Sequence, residues 1–256
     1  MRELWSFRGL FFFFVWRDVK VRYHQTVLGA GWAVLQPVLA TGVFSLIFGR
    51  FARIPSDGIP YPLFVLAGQV LWTYFATALT GASASLVNST HLITKVYFPR
   101  LVVPLAPVLA GLLDLAIALA LLLLVMLGFG KFPLPIGIVL LPVSLLILVL
   151  TVGGIGCLLA ALNIQYRDVK HVTPFLVQLW MYASPIVYPL SIVPAKFRPV
   201  FALNPLTGAI TGFRAGLLGG PVPWSTLAIG FAVASLLFGA GVLYFRRTER
   251  IFADVA

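Results

Sequence analysis

Seven acidic residues in 256 leave little room for a hydrolytic centre. No two carboxylates fall at helical spacing, no HExxH occurs, and no serine, histidine and aspartate form a credible set. The nearest approach to a phosphate loop is Gly128-Phe129-Gly130-Lys131. Phe132 follows it where a hydroxyl would be needed, so the chain does not hold ATP by that device. Cys157 is the single cysteine, which excludes an intrachain disulfide and a cysteine-based metal site. His24, His91 and His171 stand apart, each beside the end of an apolar run. Chemistry therefore concentrates on Asp114, the one acid near the middle of such a run. A charge there costs about 2.5–3.5 kcal/mol on insertion scales, so it must face protein or water, or be protonated. Paired with Arg214 it would be a pathway or gating residue. Bonded to Gln69, Gln178 or Asn88 it would be a buried polar anchor, and the anchor is the simpler reading.

Aromatic residues supply the second kind of chemistry. Trp72, Tyr74, Phe75, Trp180, Tyr182 and Tyr188 gather near the ends of two apolar runs. Their rings could stack on the apolar CH faces of sugars; an aromatic belt at a membrane surface is their commoner use. Gln178 and Ser184 accompany the 180–188 group, which brings the two uses level there. Residues 163–189 organise the chain: a short charged loop, Tyr166 to His171, leads straight into an apolar run broken by prolines.

The elements that position these residues follow from composition. The chain is 61% hydrophobic and 10% charged, with a mean hydropathy of +1.03. Soluble domains are about 25% charged, so the class is an all-α polytopic membrane protein. The net charge of +11 does not indicate nucleic acid, because the basic residues flank apolar runs and form no single patch.

Residues 1–28 carry Arg2, Arg8, Arg17, Lys20 and Arg22 around the apolar stretch 10–16. That stretch is too short to span, which takes about 20 residues. Arg17 and Asp18 follow where a cleavage site would lie, so a removable leader is not expected. The segment is predicted to be a helix lying in the cytoplasmic interface, anchored by Trp5, Trp16 and Tyr23. Six spans are predicted, at about 31–48, 61–86, 101–127, 136–162, 172–189 and 226–245, in one transmembrane domain covering 1–256. Pro37 would kink the first, and Gly153, Gly154 and Gly156 would let the fourth pack closely. Between the fifth and sixth, residues 207–218 are apolar but only about 12 long, which suits a re-entrant or interfacial helix. Two-thirds of the 18 Lys and Arg residues fall in the proposed inner segments, which puts both termini in the cytoplasm. Two of those segments, 87–100 and 163–171, are short and of mixed charge. Either alone would be a solvated loop; together they could take force from a cytoplasmic partner.

The chain also resembles the membrane subunits of type-2 ABC transporters that export polysaccharide, most of all the permeases of O-antigen and teichoic-acid exporters. The resemblance covers nearly the whole chain. It is carried by Arg22-Tyr23-His24-Gln25-Thr26-Val27-Leu28-Gly29 running on through Trp32 to Pro37, by Phe98-Pro99-Arg100, by Asn163 through Tyr166-Arg167-Asp168-Val169-Lys170, by Ser184-Pro185 with Tyr188, and by Asn204-Pro205-Leu206. It implies a homodimer in the bacterial inner membrane joined to two copies of a separate ATP-binding subunit. ATP and Mg would sit on that subunit; this chain would hold no cofactor or metal and would not itself be an enzyme. His91, Lys95, Tyr166, Arg167, Asp168 and Lys170 would couple to the partner. Arg17, Lys20 and Arg22 would meet the pyrophosphate of an undecaprenyl-linked polysaccharide. Trp32, Trp72, Tyr74, Asp114, Gln178, Trp180, Tyr182 and Tyr188 would line its path, and helices within 195–220 would form an outer gate. The alternative within the same class is an exporter of a small molecule, drug or lipid. A membrane enzyme acting on lipid-linked sugar lacks its paired acids, and a secondary transporter would have to run on Asp114 alone.

Overall fold

The computed structural model describes residues 7–24, 31–90, 98–166 and 168–249. These are helical throughout, with no strand among them. Helix α1 runs Arg8–Tyr23 and α2 runs Gly31–Phe44, continuing through a π-helical turn, Ser45–Phe51. Pro37 sits inside α2, as the sequence leads one to expect. Helix α3 is Tyr61–Asn88, α4 is Val102–Gly128 and α5 is Gly137–Gln165. Pro62 in the first turn of α3 loses no hydrogen bond there, since that N–H would be unpaired anyway. Helix α6 is Val169–Tyr182; short 3-10 turns, Leu190–Ile192 and Ala195–Phe197, lead to α7, Arg198–Ala202. Helix α8 is Pro205–Leu218 and α9 is Trp224–Thr248.

Five of these are long and apolar enough to cross a membrane: α2 with its π turn, α3, α4, α5 and α9. They match five of the six predicted spans. The fifth predicted span, 172–189, is not one helix. Helix α6 starts earlier and stops at Tyr182, and its 14 residues rise about 21 Å against a hydrocarbon core of about 30 Å. The chain breaks at Ser184-Pro185, and the carbonyls of Pro185 and Ile186 are taken by the guanidinium of Arg214. Apolar composition is the same in a helix and in this turn; the side chain that captures the turn comes from 28 residues downstream.

Helix α3 is the hub. It is buried along most of its length, from Leu63 to Leu86, against α4 and α5. Helix α8 is packed into the bundle: nearly every residue from Pro205 to Leu217 is buried, and it wedges among α3, α5 and α9. Helices α5 and α9 meet at Gly154 and Gly241, where a Cβ on Gly241 would lie 1.9 Å from the Gly154 carbonyl oxygen. Only glycine on both sides allows that approach. At the other end of the bundle a second apolar cluster joins Phe14 of α1 to Phe98, Leu101, Val102, Cys157 and Phe245. The Phe14 and Phe98 rings are 5.5 Å apart. From there α1 leans along α4, so its last residues reach the middle of that helix and do not stay level with its end.

Candidate functional site

Asp114 is the thirteenth of the 27 residues of α4, about 18 Å from its start. Its carboxylate accepts a hydrogen bond from Arg22 Nη1 and another from the Tyr23 hydroxyl, both at the end of α1. The arginine also makes it an ion pair. The expected partners lie elsewhere: Arg214 is bonded to backbone carbonyls, and Gln69, Gln178 and Asn88 do not reach it. The ion pair offsets the cost of a mid-span charge by supplying the opposite one. The Tyr23 phenol carries its proton at neutral pH and is the donor in the second bond.

This ion pair forms part of the wall of a cavity of about 560 Å³ bounded by the end of α1 and by α2, α3 and α4. Trp32, 53% exposed, and Gln36 project from α2. Thr73, Thr77 and Thr80 come from α3. The Thr77 and Thr80 hydroxyls donate to their own helix, to Thr73 O and Ala76 O, at 2.7 and 2.8 Å, and keep lone pairs for a ligand. The Tyr74 ring closes the back; its hydroxyl donates to Val108 O at 3.1 Å. The lining thus offers hydroxyls, an amide, the aromatic rings of Tyr23, Trp32 and Tyr74 and one neutralised charge pair, a set suited to a polyhydroxylated ligand.

A second group lies around the end of α6. Trp180 Nε1 donates to Asn204 Oδ1 at 3.0 Å, and its ring meets Phe75 of α3 edge-on at 5.2 Å. Asn204 caps α8 by accepting from Leu206 N, and its amide donates to Ala183 O and Ser184 Oγ at 3.1 and 3.0 Å. Tyr188 donates to Tyr182 O at 2.8 Å. Gln178 and Tyr182 lie on the open face of α6. One residue, Asn204, therefore ties the end of α6, the turn after it and the start of α8 together.

Residues 9–218 match the family described as ABC-2 type transporter. The chain belongs to that family. It is 32% identical to "O-antigen export system permease protein RfbA" of Myxococcus xanthus, over 99% of this chain and 98% of that protein. It is 27% identical to the protein of the same name from Klebsiella pneumoniae, over 93% and 92%. To "Polysialic acid transport protein KpsM" of Escherichia coli it is 24% identical, over 93% of each.

Within this ABC-2 membrane protein the predicted residues divide into distinct places. Trp32, Tyr74, Asp114 and Arg22 come together in the cavity. Gln178, Trp180, Tyr182 and Tyr188 belong to the α6 group. Trp72 lines neither; it is buried against Phe75 at 5.4 Å. Arg17 is paired with Asp18 at 2.8 Å and lies over the Phe14 ring, whereas Lys20 is exposed. Tyr166, Asp168 and Lys170 are exposed at the corner between α5 and α6. His91, Lys95 and Arg167 lie outside the described residues. Sequence reasoning missed Tyr23 as a partner of Asp114, although it directly follows Arg22. It also missed Asn204 as the link from α6 to α8, although Asn-Pro is a recognisable helix start.

Proposed function

We propose that this chain is the membrane-spanning subunit of an ATP-driven exporter that carries a lipid-linked polysaccharide of the O-antigen kind from the cytoplasm to the outer face of the bacterial inner membrane. Two copies of the chain work with two copies of a separate ATP-binding subunit, which holds ATP and Mg. The observation that carries this reading is the near full-length match to O-antigen export permeases. The cavity supports it, because hydroxyls, an amide and an exposed indole are the groups that recognise sugars.

The chain's own residues divide the work. Both termini face the cytoplasm, so the corner at Tyr166, Asp168 and Lys170 meets the ATP-binding subunit, together with the loop after α3. Its closure pushes on α6, which begins at Val169. The push reaches α8 through the Trp180–Asn204 bond, and α8 is the wedge among α3, α5 and α9. The lipid-linked chain passes along the face of α2, α3 and α6. Arg22, Trp32, Gln36 and the threonines of α3 meet it on the inner side.

Depletion of the protein in its host tests the reading. Long lipid-linked chains should accumulate on the cytoplasmic side, while surface polysaccharide falls. Normal surface polysaccharide with no lipid-linked build-up would overturn it.

A further inference from the structure

The buried arginine of α8 is used by neither the cavity nor the path above. Arg214 is 5% exposed. Its Nε donates to Phe64 O at 3.1 Å, Nη1 to Pro185 O at 2.6 Å and Nη2 to Ile186 O at 2.5 Å. The guanidinium also stacks on the Phe64 ring, 3.6 Å from its centroid. These bonds use three of its five N–H donors. Carbonyl dipoles satisfy donors but carry no net charge, and among the described residues no carboxylate makes an ion pair with Arg214. Asp57 acts on Arg214 only through space, without an ion pair; a buried charge so weakly compensated is costly, and an anion in contact with it would lower that cost.

Arg214 opens on a cavity of about 330 Å³ at the end of the bundle away from α1, at the small end of ligand sites, which run about 300–1,000 Å³. A second cation, Arg198, lines it, held by bonds to Val193 O and Ser191 O, both at 3.0 Å. One acid, Asp57, is also present, and its Oδ1 accepts from Ser191 Oγ at 2.8 Å. Two arginines against one aspartate leave the cavity one charge positive. Thr211 adds a hydroxyl, and Pro189 and Leu190 give an apolar edge. Helices α3 and α9 begin beside this cavity, at Tyr61 and Trp224. It therefore sits at the level where headgroups meet a membrane-spanning bundle.

We propose that the cavity lined by Arg214, Arg198 and Asp57 binds the phosphate of a lipid headgroup. A bound phosphate adds to Asp57 the further negative charge that two arginines call for, and so steadies the turn after α6 that Arg214 holds. The site depends on the chain lying in a membrane and not on what it exports.

The test titrates the full-length chain with phosphatidylglycerol in mixed micelles and follows the bound lipid by native mass spectrometry. Arg198→Gln should weaken binding about tenfold, and Asp57→Asn should tighten it several-fold, because each shifts the site by one charge in opposite directions. A purely structural role would move both variants the same way or neither, and either outcome overturns the proposal. Arg214→Gln removes three bonds and can unfold the chain, so the proposal does not depend on it. Inorganic pyrophosphate is added as competitor. If it displaces the lipid while the charge responses hold, the site recognises phosphate alone. If it does not, the site recognises the headgroup within its lipid. Both results stand whether or not depletion blocks polysaccharide export.

Discussion

The bond between α1 and α4 should cost more to break from the Arg22 side than from the Asp114 side. Arg22→Gln leaves Asp114 near the middle of a spanning helix with only Tyr23 to support it. Removing one member of a fully buried ion pair costs about 3–5 kcal/mol. The Arg22 and Asp114 side chains are 32% and 20% exposed, so screening by water lowers this to about 2 kcal/mol. Asp114→Asn removes the charge that needs a partner, and the long Arg22 stem can carry its own charge to the water of the cavity. That change should cost about 1 kcal/mol, the net worth of the hydrogen bonds it weakens. The double variant should lose no more than the worse single one, giving a coupling of at least about 1 kcal/mol. Reversible unfolding in mixed detergent micelles, followed by tryptophan fluorescence, measures all four corners of the cycle. If the two single losses add to within about 0.5 kcal/mol, the residues are independent, and α1 is not tied to α4 through this pair.

Gly241→Ala should destabilise the chain by about 3 kcal/mol in the same assay, because its methyl would lie 1.9 Å from the Gly154 oxygen and force α5 and α9 apart. Gly239→Ala, two residues away with nothing within 4 Å, is the control, and should gain about 0.5–1 kcal/mol from helix propensity. Asn204→Ala should cost about 2 kcal/mol, about 1 for the lost cap of α8 and the rest for the acceptor of Trp180 and the donors to Ala183 and Ser184. Asn204→Asp keeps the acceptor and should fall between the two.

The spans were legible where apolar length alone decides them. Residues 61–86 and 101–127 come within two residues of α3 and α4, because a hydrocarbon core leaves so long an apolar run no arrangement but a helix. The break after α6 was half legible. Pro185 and Pro189 mark an interruption in the apolar run, but what holds the turn is Arg214, a side chain remote in sequence that the sequence reading offered only as one possible partner of Asp114. The ion pair that does hold Asp114 spans 92 positions. Its signal was present in a different form: α1 carries several cations but only Asp18 as an acid, and Asp18 is taken by Arg17, which leaves Arg22 to find another acid. The cavity was half legible. Trp32, Tyr74, Asp114 and Arg22 were each singled out from type and setting, whereas Thr73, Thr77 and Gln36 join it only because α2, α3 and α4 turn those faces together. Trp72 was chosen by the same reasoning as Tyr74, but the two lie about 200° apart around α3, and of the pair Tyr74 alone borders the cavity.

Where two helix backbones touch, neither can slide or roll without first separating. Helices α5 and α9 touch in this way at Gly154 and Gly241. They run the full depth of the bundle as one stiff pair, and α8 is packed against both. In mechanical language this pair is the stator. Helix α2, with only 11% of its most apolar stretch buried, and the short α6 are held far more lightly. If the ATP-binding subunit pushes at the α5–α6 corner as proposed, the stroke would meet a fixed post on one side and a movable arm on the other. The post is set by two glycines, each about 26 Å from the start of its helix, and each lacking the one atom that would have kept the helices apart.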